Sequence, residues 1–308
     1  MNAQADLAGH FDLTRSHLRA VAHRMLGSAD EADDAVQETW LRAARAGTDG
    51  VANVPGWLTT IVGRVCLDML RARGRRDEQL VESERFDQVS VHDGDPADAA
   101  VLADSVGLAL LVVLDTLSPA ERVAFVLHDL FAMPFGEIAQ IVARSPATAK
   151  KLASRARQRV HGTPVLPAAD HARQRRLVAA FLAAARAGDL DALLAVLDPD
   201  VLHRSDVPGS GGERRGARPV AQGTLTDSGR ARFADLLLID GRPGIGVLRG
   251  GRLFLVLRVT TDGERITEID IVSDPVRLAA LDLALDPALD PGPGPGPGPA
   301  PDGGVPAP

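Results

Sequence analysis

The sequence predicts a multidomain chain: two all-α units, the second closed by a helix-turn-helix, and then an α+β unit. Three observations predict it. Apolar residues recur near the 3.6-residue period through residues 11–74 and again through 101–160. An acidic stretch without sustained period, residues 77–100, separates those runs. After Gln174 the pattern changes to two helical runs and then short alternating runs divided by Gly250-Gly251 and Asp262-Gly263, both hairpin signals.

The elements follow in order. Leu13, Leu18, Val21, Ala22 and Met25 mark a first helix, which Gly27 stops. Ser28 precedes a second, roughly 30–46, whose early acids suit a helix N-terminus. Pro55 opens a third, with Trp57, Leu58, Ile61, Val62, Val65, Leu67 and Leu70 on its apolar side, ending in Arg71-Ala-Arg73-Gly-Arg75-Arg76. Helix resumes at about 101–117. Ser118-Pro-Ala-Glu121 reads as a capping box opening a helix to about Leu130. A short helix over 134–142 and another after Ser145-Pro146 follow. Beyond Gln174 the reading is helices over 173–187 and 189–198, strands over 216–220, 243–248, 252–260 and 264–273, and a helix near 227–238. The ending PGPGPGPGPAPDGGVPAP cannot form a core and is expected to be disordered from 286 to 308.

Composition narrows the function. One cysteine, Cys66, excludes a disulfide framework, and the eight histidines have no metal-ligand spacing, so neither a metal nor a cofactor is expected. No run of 18 apolar residues and no secretion signal is present, so no membrane partner is expected and a cytoplasmic location is. The net charge of −7 is unevenly spread. Residues 77–104 hold nine acidic groups against one basic, whereas 105–162 hold four against seven. The flanks of the acidic segment can therefore face a polyanion.

Three motifs carry chemistry. In PFGEIAQIVARSPATAKKLASRARQRV the second helix is basic, without an acid. Its apolar side (Ala149, Leu152, Ala153, Ala156, Val160) would dock inward, leaving Ala147, Thr148, Lys150, Lys151, Ser154 and Arg155 outward, as on a major-groove recognition helix. In DEADDAVQETWLRA, Asp33, Gln37 and Leu41 form one stripe beside Asp34 and Glu38. That acidic stripe, ending in an exposed Trp40, suits a protein partner. In PGWLTTIVGRVCLDMLRARGR, Arg64, Asp68 and Arg71 share a ridge that can hold a single strand or an extruded base.

In this order and spacing, over about residues 10–162, the three motifs resemble the sigma-70 family, specifically its extracytoplasmic-function members. The resemblance implies sigma domain 2 over 10–76, an acidic linker over 77–104 lying in the polymerase's basic channel, and sigma domain 4 over 105–162. It implies that Asp33, Asp34, Gln37, Glu38, Trp40 and Leu41 bind core RNA polymerase. Arg64, Asp68 and Arg71 would contact −10 promoter DNA, and loop 47–56 would frame a flipped base. Thr148, Lys150, Lys151, Ser154 and Arg155 would contact the −35 duplex.

Residues 173–285 resemble the SnoaL-like cone, the extension found in the SigJ-like group of these sigma factors. DPVRL at 274–278 looks like that group's end motif, which makes Asp274, Pro275, Arg277 and Leu278 expected contacts of a regulatory domain. The linker lacks the Trp-Leu-Pro-Glu-Pro motif often seen there, and the loop in VLHRSDVPGSGGERRGARP is longer and richer in glycine than expected. Such a cone encloses a pocket, so a small apolar ligand is an expected partner. The expected function is an alternative sigma factor regulated by its own C-terminal domain, not an enzyme. The competing reading is a SnoaL-type cyclase or isomerase fused to a helix-turn-helix, with His203, Asp206, Asp270 and Asp274 as its acid/base candidates. That reading gives no role to the 30–43 helix.

Overall fold

Helix α1 (Ala3–Leu26) stops at Gly27, whose φ of 82° is open to glycine without strain. Ser28 then caps α2 (Ala29–Ala46), accepting the Glu31 N–H. These two helices and α3 (Val54–Glu82) enclose Leu18, Val21, Met25, Ala35, Leu58, Val62 and Cys66. Burial pushes the Cys66 thiol up to about 12. The computed structural model describes residues 3–82, 105–210, 212–226 and 228–287. Helix α3 continues six residues into the segment read as linker. The remainder of that segment, 83–104, and the terminal 288–308 lie outside the described residues.

Helix α4 (Ser105–Asp115) is followed by α5 (Pro119–Phe125), with the expected capping box: the Glu121 N–H donates to Ser118 Oγ (3.4 Å) and the Ser118 N–H to Glu121 Oε2 (3.2 Å). A π-helical turn over Val126–Leu130 leads to α6 (Phe135–Val142), which ends at Ala143 in the left-handed region. Helix α7 (Pro146–Val160) starts at Ser145, which accepts the Thr148 N–H at 3.2 Å.

The third unit is a sheet with helices on both faces. Helices α8 (Ala168–Ala187) and α9 (Leu190–Val196) precede β1 (Leu197–Ser205) and β2 (Arg214–Arg215). Then come α10 (Ala217–Thr226), the single turn α11 (Ser228–Ala231), β3 (Ala234–Ile239), β4 (Arg242–Arg249), β5 (Arg252–Thr261), β6 (Ile266–Val272), α12 (Pro275–Ala279) and β7 (Leu283–Ala284). The strand order is β2-β1-β6-β5-β4-β3-β7. Among the strand pairs of the described residues, β1–β6 alone is parallel.

Three expectations fail here, and one strand was not anticipated. Residues 217–226 are helix rather than a strand at 216–220, because Pro219 sits in a first helical turn, where its missing N–H costs nothing. The helix expected near 227–238 is one turn followed by β3. Strand β1 was not anticipated, because Asp198-Pro199-Asp200 breaks its alternation. Asp286 is no part of a free tail: it is 1% exposed and lies 3.5 Å from Arg175.

Side chains alternate across the sheet and define two faces. On one, Val201, Ala234, Ile245, Val247, Leu255 and Ile269 pack with Val178, Phe181 and Leu182 of α8. On the other, Leu237, Ile239, Leu248, Val256 and Val272 pack with Leu108, Leu111 and Val112 of α4. The remaining sides of α4 (Ala109, Leu110, Val113, Leu114) join the core of the helical units. A helix apolar all round must be covered all round, and α4 is.

Candidate nucleic-acid interface

Helix α7 is amphipathic as expected. Ala149, Ala153, Ala156 and Val160 are buried, Leu152 is half-buried, and Lys150, Lys151, Ser154 and Arg155 are exposed. Thr148 is half-buried, with its hydroxyl 2.9 Å from Ser145 Oγ. Two other basic residues of the helix are tied to its own unit: Arg157 Nε lies 3.0 Å from Asp129 and Arg159 lies 3.4 Å from Glu121. Lys150, Lys151 and Arg155 form no ion pair among the described residues. The uncommitted positive charge thus runs from the N-terminal half of the helix, at Lys150 and Lys151, to Arg155 just past its middle, and the N-terminal part is the one that enters a major groove.

On α2, Asp33, Asp34, Gln37 and Leu41 are exposed and Glu38 is half-buried. Trp40 is less exposed than expected. Its ring packs on Phe11 of α1, centroids 5.0 Å apart, so the indole belongs partly to the core. Asp33 pairs with Arg19 (2.7 Å) and Glu38 with Arg42 (2.8 Å), whereas Asp34 and Gln37 make no side-chain hydrogen bond among the described residues. Asp33, Gln37 and Trp40 line an open cleft of about 390 Å³ against Phe11, Asp12 and Arg15.

The α3 ridge presents Arg64, Asp68 and Arg71 to solvent. Arg42 reaches Asp68 at 3.3 Å, linking the α3 ridge to the α2 stripe. The neighbour across from Arg64 was not foreseen: its Nη2 donates to the Gln140 carbonyl of α6 (3.3 Å). One residue earlier, Gly63 meets the same helix. A Cβ there would stand 3.0 Å from Ile141 Cδ1. The first and second helical units are therefore in direct contact along α3.

Two carboxylates, the buried Asp235 and the half-buried Asp115, fasten α4 to the sheet. Asp235 accepts the Ala109 N–H (3.2 Å). Asp115 accepts the Leu253 N–H (3.1 Å) and pairs with Arg122 (3.2 Å), itself 2% exposed. Sequence reasoning passed over all three, although the unbroken apolar run LALLVVL was a signal that α4 is covered on every side.

The end-motif residues act mostly within their own unit. Asp274 caps α12, accepting the Arg277 N–H, and Pro275 takes the first helical position. Arg277 bonds Asp206 (2.6 Å) and Asp270 (3.2 Å). Leu278 packs against the apolar group shared with α4. Among the four acid/base candidates, His203 lines a cavity of about 410 Å³, while Asp206 and Asp270 face the other side of the sheet around Arg277. The four are not brought together.

Models described as Sigma-70 region 2 and Sigma-70, region 4 match residues 11–76 and 107–160. The "Probable ECF RNA polymerase sigma factor SigI" of Mycobacterium tuberculosis is 34% identical over 270 residues, covering 87% of this chain and 93% of the relative. The chain belongs to the ECF sigma-70 family. The ECF RNA polymerase sigma factor SigJ of the same organism is 38% identical over 250 residues, 80% of this chain and 77% of that one. A crystal structure of M. tuberculosis SigJ aligns over 88% of this chain and 97% of its own, with 31% identity and a TM-score of 0.42. As an alternative sigma factor, the protein binds core RNA polymerase and promoter DNA and directs transcription initiation. This is the work of an initiation factor, not of an enzyme. No described helix is long and apolar enough to cross a membrane.

Proposed function

We propose that residues 10–76 engage core polymerase through Asp33, Asp34, Gln37, Glu38, Trp40 and Leu41 and contact −10 DNA through Arg64, Asp68 and Arg71. Residues 105–162 contact the −35 duplex through Thr148, Lys150, Lys151, Ser154 and Arg155. Residues 173–285 regulate by holding the two sigma domains closed, and a small, largely apolar ligand in their cavity biases that equilibrium. Such a factor works where the polymerase is, in the cytoplasm.

One observation carries the regulatory reading: Arg64, on the −10 ridge, is bonded to Gln140 in the helix-turn-helix unit. A sigma factor must reach two elements about two helical turns apart, roughly 70 Å of DNA. A ridge pressed on its neighbour does not span that distance, and one donor of Arg64 is taken by the Gln140 carbonyl.

Gly63→Leu tests it. The larger side chain has no room against Ile141, while leucine favours helix over glycine, so α3 persists and its contact with α6 does not. Transcription at limiting protein should rise severalfold with core binding undiminished. Unchanged or lower output, with helical circular dichroism intact, overturns the closed-state reading. Asp34→Ala with Gln37→Ala should weaken a core-polymerase pull-down, and undiminished capture removes the role given to α2.

A further inference from the structure

The cavity on the α8 face of the sheet has a lopsided chemistry. Its walls are apolar, from Phe181 and Leu182 of α8 to Ile245, Val247, Leu255 and Leu257 of the central strands. Its charged lining residues are Arg214 and Arg230, with His203 beside them, and no acidic residue is among the described residues that line it. About 410 Å³ lies at the small end of the range for ligand pockets.

The basic end is built into the fold. His203 of β1 and Arg214 of β2 are direct register partners in an antiparallel pair. Directly opposed residues project to the same face with Cβ atoms about 5 Å apart. The imidazole is buried, and the guanidinium is half-buried and held by the Ser210 carbonyl. Gly223 gives it space: a Cβ at that position would overlap Arg214 Nη1. The hydroxyl residues Ser205 and Thr224 also line the cavity. An apolar chamber with donors gathered at one end, and no carboxylate among the described residues of its lining, is complementary to an amphipathic anion.

We propose that this cavity binds a small carboxylate-type amphiphile, its head on Arg214 beside His203 and its apolar body against Val247 and Leu255. The proposal rests on the regulatory reading for its consequence, not for the binding itself. The same strands form the seat of α4. Val247 and Leu255 face the cavity, while Gly246, Leu248 and Val256 face α4, and a Cβ on Gly246 would stand 3.1 Å from Val112. Strands parted from one side to admit a ligand shift the surface on which the −35 unit is mounted.

The probe is decanoate, an anion of about a dozen non-hydrogen atoms, with 1-decanol as its uncharged counterpart. Calorimetry on the full-length protein should show decanoate binding in the micromolar range and decanol at least tenfold weaker. Arg214→Gln should cut decanoate affinity roughly tenfold or more and leave decanol unchanged, with Arg214→Lys restoring part of the loss. Equal affinities for the two probes, an Arg214→Gln variant that binds decanoate as wild type does, or no binding up to about 1 mM each overturn the proposal. Binding that leaves promoter output unchanged retains the site and refutes the coupling. A Gly63→Leu response without decanoate binding refutes the site and retains closed-state regulation.

Discussion

Gly27 and Gly251 touch across the boundary between the first helical unit and the sheet: a Cβ on Gly27 would stand 2.6 Å from the Gly251 carbonyl oxygen. Both have positive φ, 82° and 74°. The turn between α1 and α2 and the β4–β5 hairpin approach backbone to backbone, with no room for a side chain on either. Gly250, next in the hairpin, also has positive φ but open space around its Cβ position.

Gly250→Ala therefore carries only the backbone cost, about 1–2 kcal/mol. Gly251→Ala adds the clash with Gly27. Thermal denaturation should place Gly251→Ala below Gly250→Ala, and scattering should show the larger radius of gyration for Gly251→Ala. Equal midpoints and radii for the two would mean the contact does not hold the units together.

Lys150→Ala and Arg155→Ala separate two kinds of DNA contact. A lost base-edge contact costs about 1–3 kcal/mol at one position of the −35 element and relaxes specificity there. A lost phosphate contact weakens every duplex alike and lowers the salt slope by about one. Titration of cognate and scrambled duplexes at several salt concentrations distinguishes them. Wild-type affinity on both duplexes removes α7 from the groove.

Asp115→Ala should be severe. Burial pushes the Arg122 guanidinium below its ordinary value, and the charge of Asp115 opposes that. Removing one partner of a buried pair typically costs about 3–5 kcal/mol. Here it also orphans the Leu253 N–H. Asp115→Asn keeps an acceptor and should fall between, as read by urea denaturation.

Acid should weaken the β1–β6 end of the sheet through Asp206. Burial works against its charged form, but the Ser273 N–H (2.5 Å) and hydroxyl (2.8 Å), with Arg277, outweigh it and hold the carboxyl below its ordinary value. A depressed folded value means stability present above the unfolded value, about 3.9, and lost as pH falls through the folded one. Asp206→Asn should cost about 1–3 kcal/mol at pH 7. Its deficit against wild type should shrink as the pH falls below the ordinary carboxylate range. A deficit independent of pH would assign the loss to packing.

The helices of the two all-α units were legible because they advertise their ends. Ser28, the Ser118–Glu121 box, Ser145-Pro146 and Gly27 are local signals that tertiary context does not override. The outward face of α7 followed from its period alone. The sheet was harder. ADLLLI of β3 is covered on both faces, so it lacks alternation, and its Ala- and Arg-rich approach mimics a helix. The arrangement of the units was not legible. Arg64–Gln140 and Gly27–Gly251 join residues 76 and 224 positions apart, and neither residue type announces a partner at such range. Arg214 gains meaning only once β2 pairs with β1.

The two-sided covering of α4 bears on how this protein can be cut and recombined. A fragment ending near residue 172 would leave Leu108, Leu111 and Val112 facing water, with the Ala109 N–H lacking its acceptor and Asp115 its Leu253 donor. The smallest transplantable piece carrying helix α7 is therefore not the helix-turn-helix unit alone but the block from about residue 105 to Asp286. Chimaeras that graft this helix onto another factor should be joined ahead of α4, with the sheet carried along as part of the insert.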